Sequence, residues 1–226
     1  MTARTTSHPD PTRADAGLAF FSTWRVGSAE RAKAAVDAIA RAWESRPWPH
    51  AGLLSYSVHE GVGADEGTLM HHSQRRGEAA YGDFFRGLSD SAGNGRDERN
   101  AEIDAAVPGI ERLGLYRTRR CRGGGLADPD AVPGLIVLTR TAFDASDADR
   151  QRVWVDAVFE AAEGGGPLSS GDVRAHFHLS LDGATVVTYA QWTGAEAHDA
   201  ALAVGDDRGV TGRYWLALSL VPGPAA

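Results

Sequence analysis

His71 and His72 stand side by side in a strand-like run, Thr68 to Arg75, that also holds Ser73 and Arg75. Alternation along an extended chain puts His71, Ser73 and Arg75 on one face and turns His72 to the other. An imidazole titrates near neutrality and can act as a general base, worth on the order of 10² to 10⁴ in rate. A guanidinium two pleats away can hold the anion left behind, a phenolate or a peroxide. Tyr81, on the helix-like stretch that follows, adds a hydroxyl able to donate to a carbonyl. The chemistry that this set suits is removal of a proton from an acidic aromatic compound. The bland alternative is one packed and one solvated imidazole, with a tyrosine that packs on the sheet.

A second set lies further along the chain. Arg174, His176 and His178 share one face of a strand in which Val173, Ala175, Phe177 and Leu179 take the other. Two histidines on one face can bind a metal when a third ligand converges. No such ligand stands at a fixed spacing, so polar lining of a sheet surface is the preferred reading. Gly123 to Gly125 lacks the Lys and Ser/Thr of a phosphate loop, and Gly164 to Gly166 lacks the spacing of a dinucleotide turn. Both read as loops. The single cysteine, Cys121, can form neither an internal disulfide nor a thiolate cage.

Composition bounds the rest. The chain has 226 residues, 42% of them hydrophobic, and 30 Asp and Glu against 23 Lys and Arg. A real core is affordable, and no basic field exists to hold a nucleic acid backbone. No stretch approaches the roughly 18 to 20 apolar residues of a membrane span. The polar opening, Met1 to Ala16, has no apolar core of a secretory signal and is expected to be a disordered tail; the expected location is cytoplasmic.

The elements that must position these side chains emerge when the two halves are overlaid. Gly17 and Gly134 each open a strand, to Val26 and to Phe143. Ser28 caps a helix carrying Ala32, Val36, Ile39, Ala40 and Trp43, and Ser146 with Asp149 forms a capping box before Val153, Ala157 and Ala161. A second strand follows, Leu53 to Glu60 in the first copy, with Leu54, Tyr56 and Val58 on the presumed core face. The third strands align without a gap: Thr68, Gln74 and Gly77 fall on Thr185, Gln191 and Gly194. Helices near 78 to 88 and 195 to 204 and closing strands, Leu113 to Arg119 and Tyr214 to Val221, complete each copy. The first has an extra helix near Glu98 to Ala106.

The order strand, helix, strand, strand, helix, strand is the ferredoxin-like unit. The expected organisation is a first domain over 17 to 120, a linker over 121 to 133, a second domain over 134 to 221 and a tail over 222 to 226. A sheet covered on one face needs a partner for the other. The expected fold is therefore α+β, two tandem ferredoxin-like domains forming an intrachain pseudo-dimeric α+β barrel, with further homodimer formation possible.

The run Thr188-Tyr189-Ala190-Gln191-Trp192 resembles the third-strand motif, commonly Asn-Tyr-Ala-Gln-Trp, of the antibiotic biosynthesis monooxygenase family. The resemblance covers both copies. It implies dimeric α+β barrels that oxidise aromatic polyketides with molecular oxygen and without flavin, haem or metal. The family's functional Asn, Trp and helix aromatic fall on His71, Arg75 and Tyr81 in the first copy and on Thr188, Trp192 and His198 in the second. The Asn stands in neither copy. The resulting expectation is a cofactor-independent monooxygenase-like enzyme acting on a phenolic polyketide or quinone precursor in bacterial secondary metabolism. His71, Arg75 and Tyr81 are its expected catalytic residues. Trp24, His72, His176, His178, Thr188, Trp192 and His198 are expected to bind substrate. A cyclase or isomerase using the same cavity, and a binding protein without chemistry, are the alternatives.

Overall fold

The computed structural model describes residues 2–82, 96–125, 131–163, 172–203 and 210–224. Two compact units divide the chain: Met1–Tyr116 together with Leu216–Ala226, and Arg117–Trp215. The chain leaves the first unit within one long strand and returns to it within another.

The first unit holds β1 (Ala3–Thr5), β2 (Leu18–Arg25), α1 (Ala29–Glu44), β3 (Leu53–Gly61), β4 (Thr68–Arg75), a helical turn at 78–82, α2 (Arg96–Ala106) and the start of β5 (Glu111–Gly125). Its strand order is β1-β9-β3-β4-β2-β5, with β9 spanning Val210–Pro222. The second unit holds β6 (Leu135–Ala142), α3 (Ala148–Glu163), β7 (Val173–Ser180), β8 (Thr185–Trp192) and α4 (Ala195–Ala203), in the order β5-β7-β8-β6-β9. In both, the copy's first strand lies between its third and fourth, and its second strand lies outside the third. The β2–β4, β3–β4, β6–β8 and β7–β8 pairs are antiparallel.

Gly17 and Gly134 show why the repeat begins where it does. A Cβ on Gly17 would lie 2.4 Å from the carbonyl oxygen of Arg76, and one on Gly134 would lie 2.3 Å from that of Thr193. Only a glycine lets the chain enter its first strand so close to the end of the third.

Ser28 caps α1 as expected, accepting a hydrogen bond from the Arg31 backbone N–H at 3.3 Å. The helix buries Ala32, Ala35, Val36, Ile39, Ala42 and Trp43, at three-and-four spacing, against Val26, Leu53, Val58 and Leu69. Full burial of a side chain such as Ile39 contributes roughly 1.5 to 3 kcal/mol.

Several expectations change. The opening residues are ordered rather than a free tail: Ala3 to Thr5 pair with Leu220 to Pro222, and the Asp10 carbonyl accepts from Gln74 Nε2 at 2.9 Å. Gln74 Oε1 in turn accepts from Ser55 Oγ at 2.6 Å, so a buried amide ties this segment down. The C-terminal end is fastened too, since Gly223 N–H donates to the Thr2 carbonyl at 2.7 Å. Cys121 to Gly125, expected as linker and loop, are the last residues of β5. Glycines suit that strand because Gly123 lies flat against His176, where a Cβ would be 2.6 Å from Nδ1. The remaining linker residues 126–130, and Gly164 to Gly166, lie outside the described residues.

Two side-chain phases also differ. A register shift between Leu53 and Ser55 pairs Leu53 with Arg75, so Leu53, not Leu54, joins the helix-side core. The N-terminus of α3 is capped by Asp147, whose Oδ1 accepts from the N–H groups of Asp149 and Arg150, both at 3.0 Å, instead of by Ser146. That helix turns Gln151 and Val155 inward and leaves Val153 68% exposed.

Candidate functional site

The face of the first unit's sheet under α1 and α2 carries a cavity of about 210 Å³, walled by the helices on one side and by β2, β3 and β4 on the other. Register explains which side chains meet there. Ser22 pairs with His71 and Phe20 with Ser73 across β2 and β4, while Tyr56 pairs with Ser73 and Val58 with His71 across β3 and β4. Directly opposed residues share a face, so Phe20, Ser22, Trp24, Tyr56, His71, Ser73 and Arg75 all reach the cavity.

His71 forms the centre of this wall. Its Nδ1 is 2.7 Å from the Tyr56 hydroxyl, and its ring packs on Trp24 with centroids 4.0 Å apart. Its Nε2 is buried with no hydrogen-bond partner among the described residues. Burial first, then the positive fields of His59 and Arg112, push the imidazole down to about 3, so it is neutral at physiological pH. Tyr56 is held neutral too, its hydroxyl pushed well up by burial, and it stacks on Trp43 at 4.6 Å.

Arg75 closes the same strand. Its guanidinium carbon lies 5.1 Å from the Phe20 ring centre and 5.5 Å from that of Tyr81, and those two rings meet edge to face at 4.8 Å. Burial pushes Arg75 down to about 10, which leaves it charged at neutral pH. Arg99 reaches in from α2 with its guanidinium carbon 4.9 Å from the Trp43 ring centre and Nη2 donating to the Pro47 carbonyl at 2.6 Å. Arg96, Asn100 and Ile103 complete that side. No Asp or Glu is among the described residues that line the cavity.

The structure therefore brings His71, Arg75, Tyr81 and Trp24 together. His72 is on the opposite face, buried and stacked on Phe21 at 4.8 Å, so it does not reach this cavity. Tyr56, Trp43, Arg96 and Arg99 were not singled out by sequence. Tyr56 read as a packing residue, and the extra helix carried its own signal in Arg96, Arg99, Asn100 and Ile103, a three-and-four spacing present in one copy only.

On the equivalent face of the second unit, aromatic side chains meet one another among the described residues. Phe177 packs on Trp154 and Phe159 with centroids 6.2 and 5.3 Å apart. Trp192, at the place of Arg75, meets His198, at the place of Tyr81, edge to face at 5.1 Å. Thr188 is half-buried there. Trp192 borders a hollow of only about 20 Å³. Burial and Arg213 lower His198, against a smaller opposing pull from Asp199. His176 and His178 are buried on the sheet face away from α3, His176 Nε2 lying 3.2 Å from Gln191 Oε1. Among the described residues no group of three or more His, Cys, Asp or Glu is arranged to hold a metal ion. No helix among them is long and apolar enough to cross a membrane.

No protein-family model matches the chain, and no curated protein does. Solved structures do. An anthrone oxidase-like protein superposes with a TM-score of 0.64 at 14% identity, over 93% of this chain and 95% of that one. A candidate monooxygenase from Lactobacillus acidophilus NCFM gives 0.52 at 11% identity, over 93% and 98%. A mutant chlorite dismutase from Candidatus Nitrospira defluvii gives 0.52 at 13% identity, over 90% and 93%. At these identities the likeness is one of fold, a mixed α+β arrangement with an antiparallel sheet.

Proposed function

We propose that this chain is a cofactor-independent, monooxygenase-like enzyme that oxidises a phenolic or related aromatic compound with molecular oxygen, in the cavity of the first unit. The observation that carries this reading is the His71–Tyr56 pair set in an aromatic wall, facing a cavity with arginines and no carboxylate in its described lining. One solved structure of the same fold is called anthrone oxidase-like, which makes anthrones the first substrates to try. The repeated strand order supports two ferredoxin-like copies in tandem, and the Thr188 to Trp192 run is the basis for reading the setting as bacterial secondary metabolism.

In this mechanism the substrate supplies every electron. A ring methylene made acidic by a neighbouring carbonyl or phenol loses a proton to the neutral His71. The arginines and the Tyr56 and Tyr81 hydroxyls favour the anion that results. Dioxygen takes electrons from that carbon and bonds to it, giving a peroxide. Loss of the second C–H proton breaks the O–O bond and releases water. The balance is R₂CH₂ + O₂ → R₂C=O + H₂O, four electrons passing from carbon to oxygen, so no flavin or metal is required. The low proton affinity of His71 belongs to the empty cavity; an anion formed beside it raises that affinity.

Oxygen uptake with a panel of anthrones and naphthols tests the proposal. Stoichiometric uptake by the purified chain, free of bound flavin, haem or equivalents of metal, is expected. Folded protein that consumes no oxygen with any of them overturns it, and turnover under argon would assign the cavity to cyclisation or isomerisation instead.

A further inference from the structure

Three polar side chains of the cavity wall make no hydrogen bond among the described residues. Ser22 and Ser73 belong to the sheet side, where Ser22 stands directly across from His71, and Asn100 belongs to α2; all three are half-buried. Other polar groups of the same wall are engaged: Tyr56 is bonded to His71, and Arg99 to the Pro47 carbonyl.

Asn100 has the most to satisfy, since a carboxamide offers two N–H donors and an acceptor oxygen. It stands on the helix found in one copy only, in the stripe of Arg96, Arg99, Asn100 and Ile103 that borders the cavity. Neither propensity nor packing accounts for an amide there. Asn is a poor helix former, and an apolar side chain would continue the stripe toward Ile103, which packs in the core.

Polar groups on an open cavity wall are satisfied by water. A ligand that displaces the water must replace its hydrogen bonds, or the group it covers is buried without a partner. A wall of this kind is selective, because it rejects an analogue that lacks the matching oxygen far more strongly than an apolar wall rejects an added methyl group. With strands on one side of the cavity and helices on the other, a ligand meets Ser22, His71 and Ser73 along one edge and Asn100 along another.

We infer that Asn100 is a specificity-determining residue: it takes a neutral oxygen substituent, a hydroxyl or a carbonyl, on the ligand edge turned away from the strands. The cavity therefore selects aromatic compounds oxygenated on two edges. This rests on the proposed function only in taking the cavity as the ligand site, and no step of the reaction enters it.

Isothermal titration calorimetry under argon, where no turnover enters, tests the inference. The probes are 2,6-dihydroxynaphthalene and 6-methyl-2-naphthol, which share a shape and differ in one oxygen. The diol should bind the unmodified chain at least tenfold more tightly. Asn100→Leu, similar in size and better suited to a helix, should remove that preference by weakening the diol while the methyl compound binds as well as before or better. A merely structural role would weaken both alike. Asn100→Ala gives the same comparison if the leucine variant does not fold. Equal affinity of the unmodified chain for the two probes, or an undiminished diol preference in a folded Asn100 variant, overturns the inference. Oxygen uptake with anthrones but no diol preference would leave the proposed reaction standing and remove this inference. Diol preference without oxygen uptake would do the reverse.

Discussion

The two copies have the same strand order and opposite interiors. Under the helices of the first, Ser22, His71 and Ser73 border about 210 Å³ of open space, with Val58 buried opposite His71. Under those of the second, the matching places are Phe177, Thr139, Thr188 and Ala190, and Trp154 and Phe159 close on Phe177. The difference lies in side-chain volume, in one helix and in the register shift of β3, which the β7–β8 pair lacks. A frame that tolerates either a filled or a hollow face lets one copy hold the cavity while the other is packed as core.

The largest effect should come from emptying the packed copy. Phe177 is 2% exposed and touches both aromatic partners, so Phe177→Ala should cost about 3 to 5 kcal/mol. Denaturant unfolding measures it. The converse change, Ser73→Phe, should place a ring in the first copy's cavity and abolish binding of aromatic probes at a smaller cost in stability. If Phe177→Ala is nearly neutral, the second copy is not closed as described.

Acid should test the first copy's buried histidines next. Burial pushes His59 to about 4 and His71 to about 3, both below the ordinary imidazole value. Each is neutral when folded and protonated below about 6.5 when unfolded, so the unfolded chain binds more protons between those limits. Their contribution to stability is therefore full above about pH 6.5 and is lost as pH drops toward 4 to 3, with a slope from these two groups approaching two protons, or about 3 kcal/mol per pH unit. Urea midpoints from pH 7 to 4.5 should show it, and His71→Asn should make the curve shallower by about one proton. Parallel curves for the two proteins would show that His71 takes no part.

His71→Ala should lower turnover at least tenfold, about 1.4 kcal/mol of transition-state stabilisation, with the fold intact by circular dichroism. Arg75→Ala should match it. Tyr56→Phe should do less, because it removes the partner of Nδ1 and leaves the base in place. If Tyr56→Phe is as damaging as His71→Ala, the phenol itself takes part in the proton transfer.

How far the sequence disclosed this arrangement follows from the range over which each signal acts. Period-two alternation is local, and it correctly put His71, Ser73 and Arg75 on one face with His72 on the other. The gapless match of Thr68 to Gly77 on Thr185 to Gly194 likewise exposed the repeat. Signals that depend on the neighbouring strand were lost. Tyr56 meets His71 because a bulge beside Leu54 shifts the register of β3, and no spacing within β3 announces that. Gly123 to Gly125 read as a loop because a glycine's preference for turns is local, while its flat approach to His176 is not. The stripe on α3 was read one phase off, since Val153, Ala157 and Ala161 keep helical spacing as well as the residues that are buried.

The smallest effects sharpen the comparison most. Trp192 and His198 occupy the positions of Arg75 and Tyr81, and Thr188 that of His71, so a working second site would have to use them. They are placed otherwise: Trp192 and His198 pack on each other, and the hollow that Trp192 borders, about 20 Å³, is too small for an aromatic ligand. Trp192→Phe keeps an aromatic ring at that contact, and His198→Ala leaves the Arg213–Asp199 ion pair, 2.8 Å long, to hold α4 to its strand. Turnover should therefore change less than threefold in Trp192→Phe, His198→Ala and Thr188→Ala, about 0.6 kcal/mol at most. The measurement is kcat/KM at saturating oxygen, with thermal unfolding run in parallel to separate lost activity from lost fold. Should Trp192→Phe or His198→Ala abolish turnover in folded protein while His71→Ala and Arg75→Ala stay active, the chemistry belongs to the second copy and the first copy's cavity is a binding site without it.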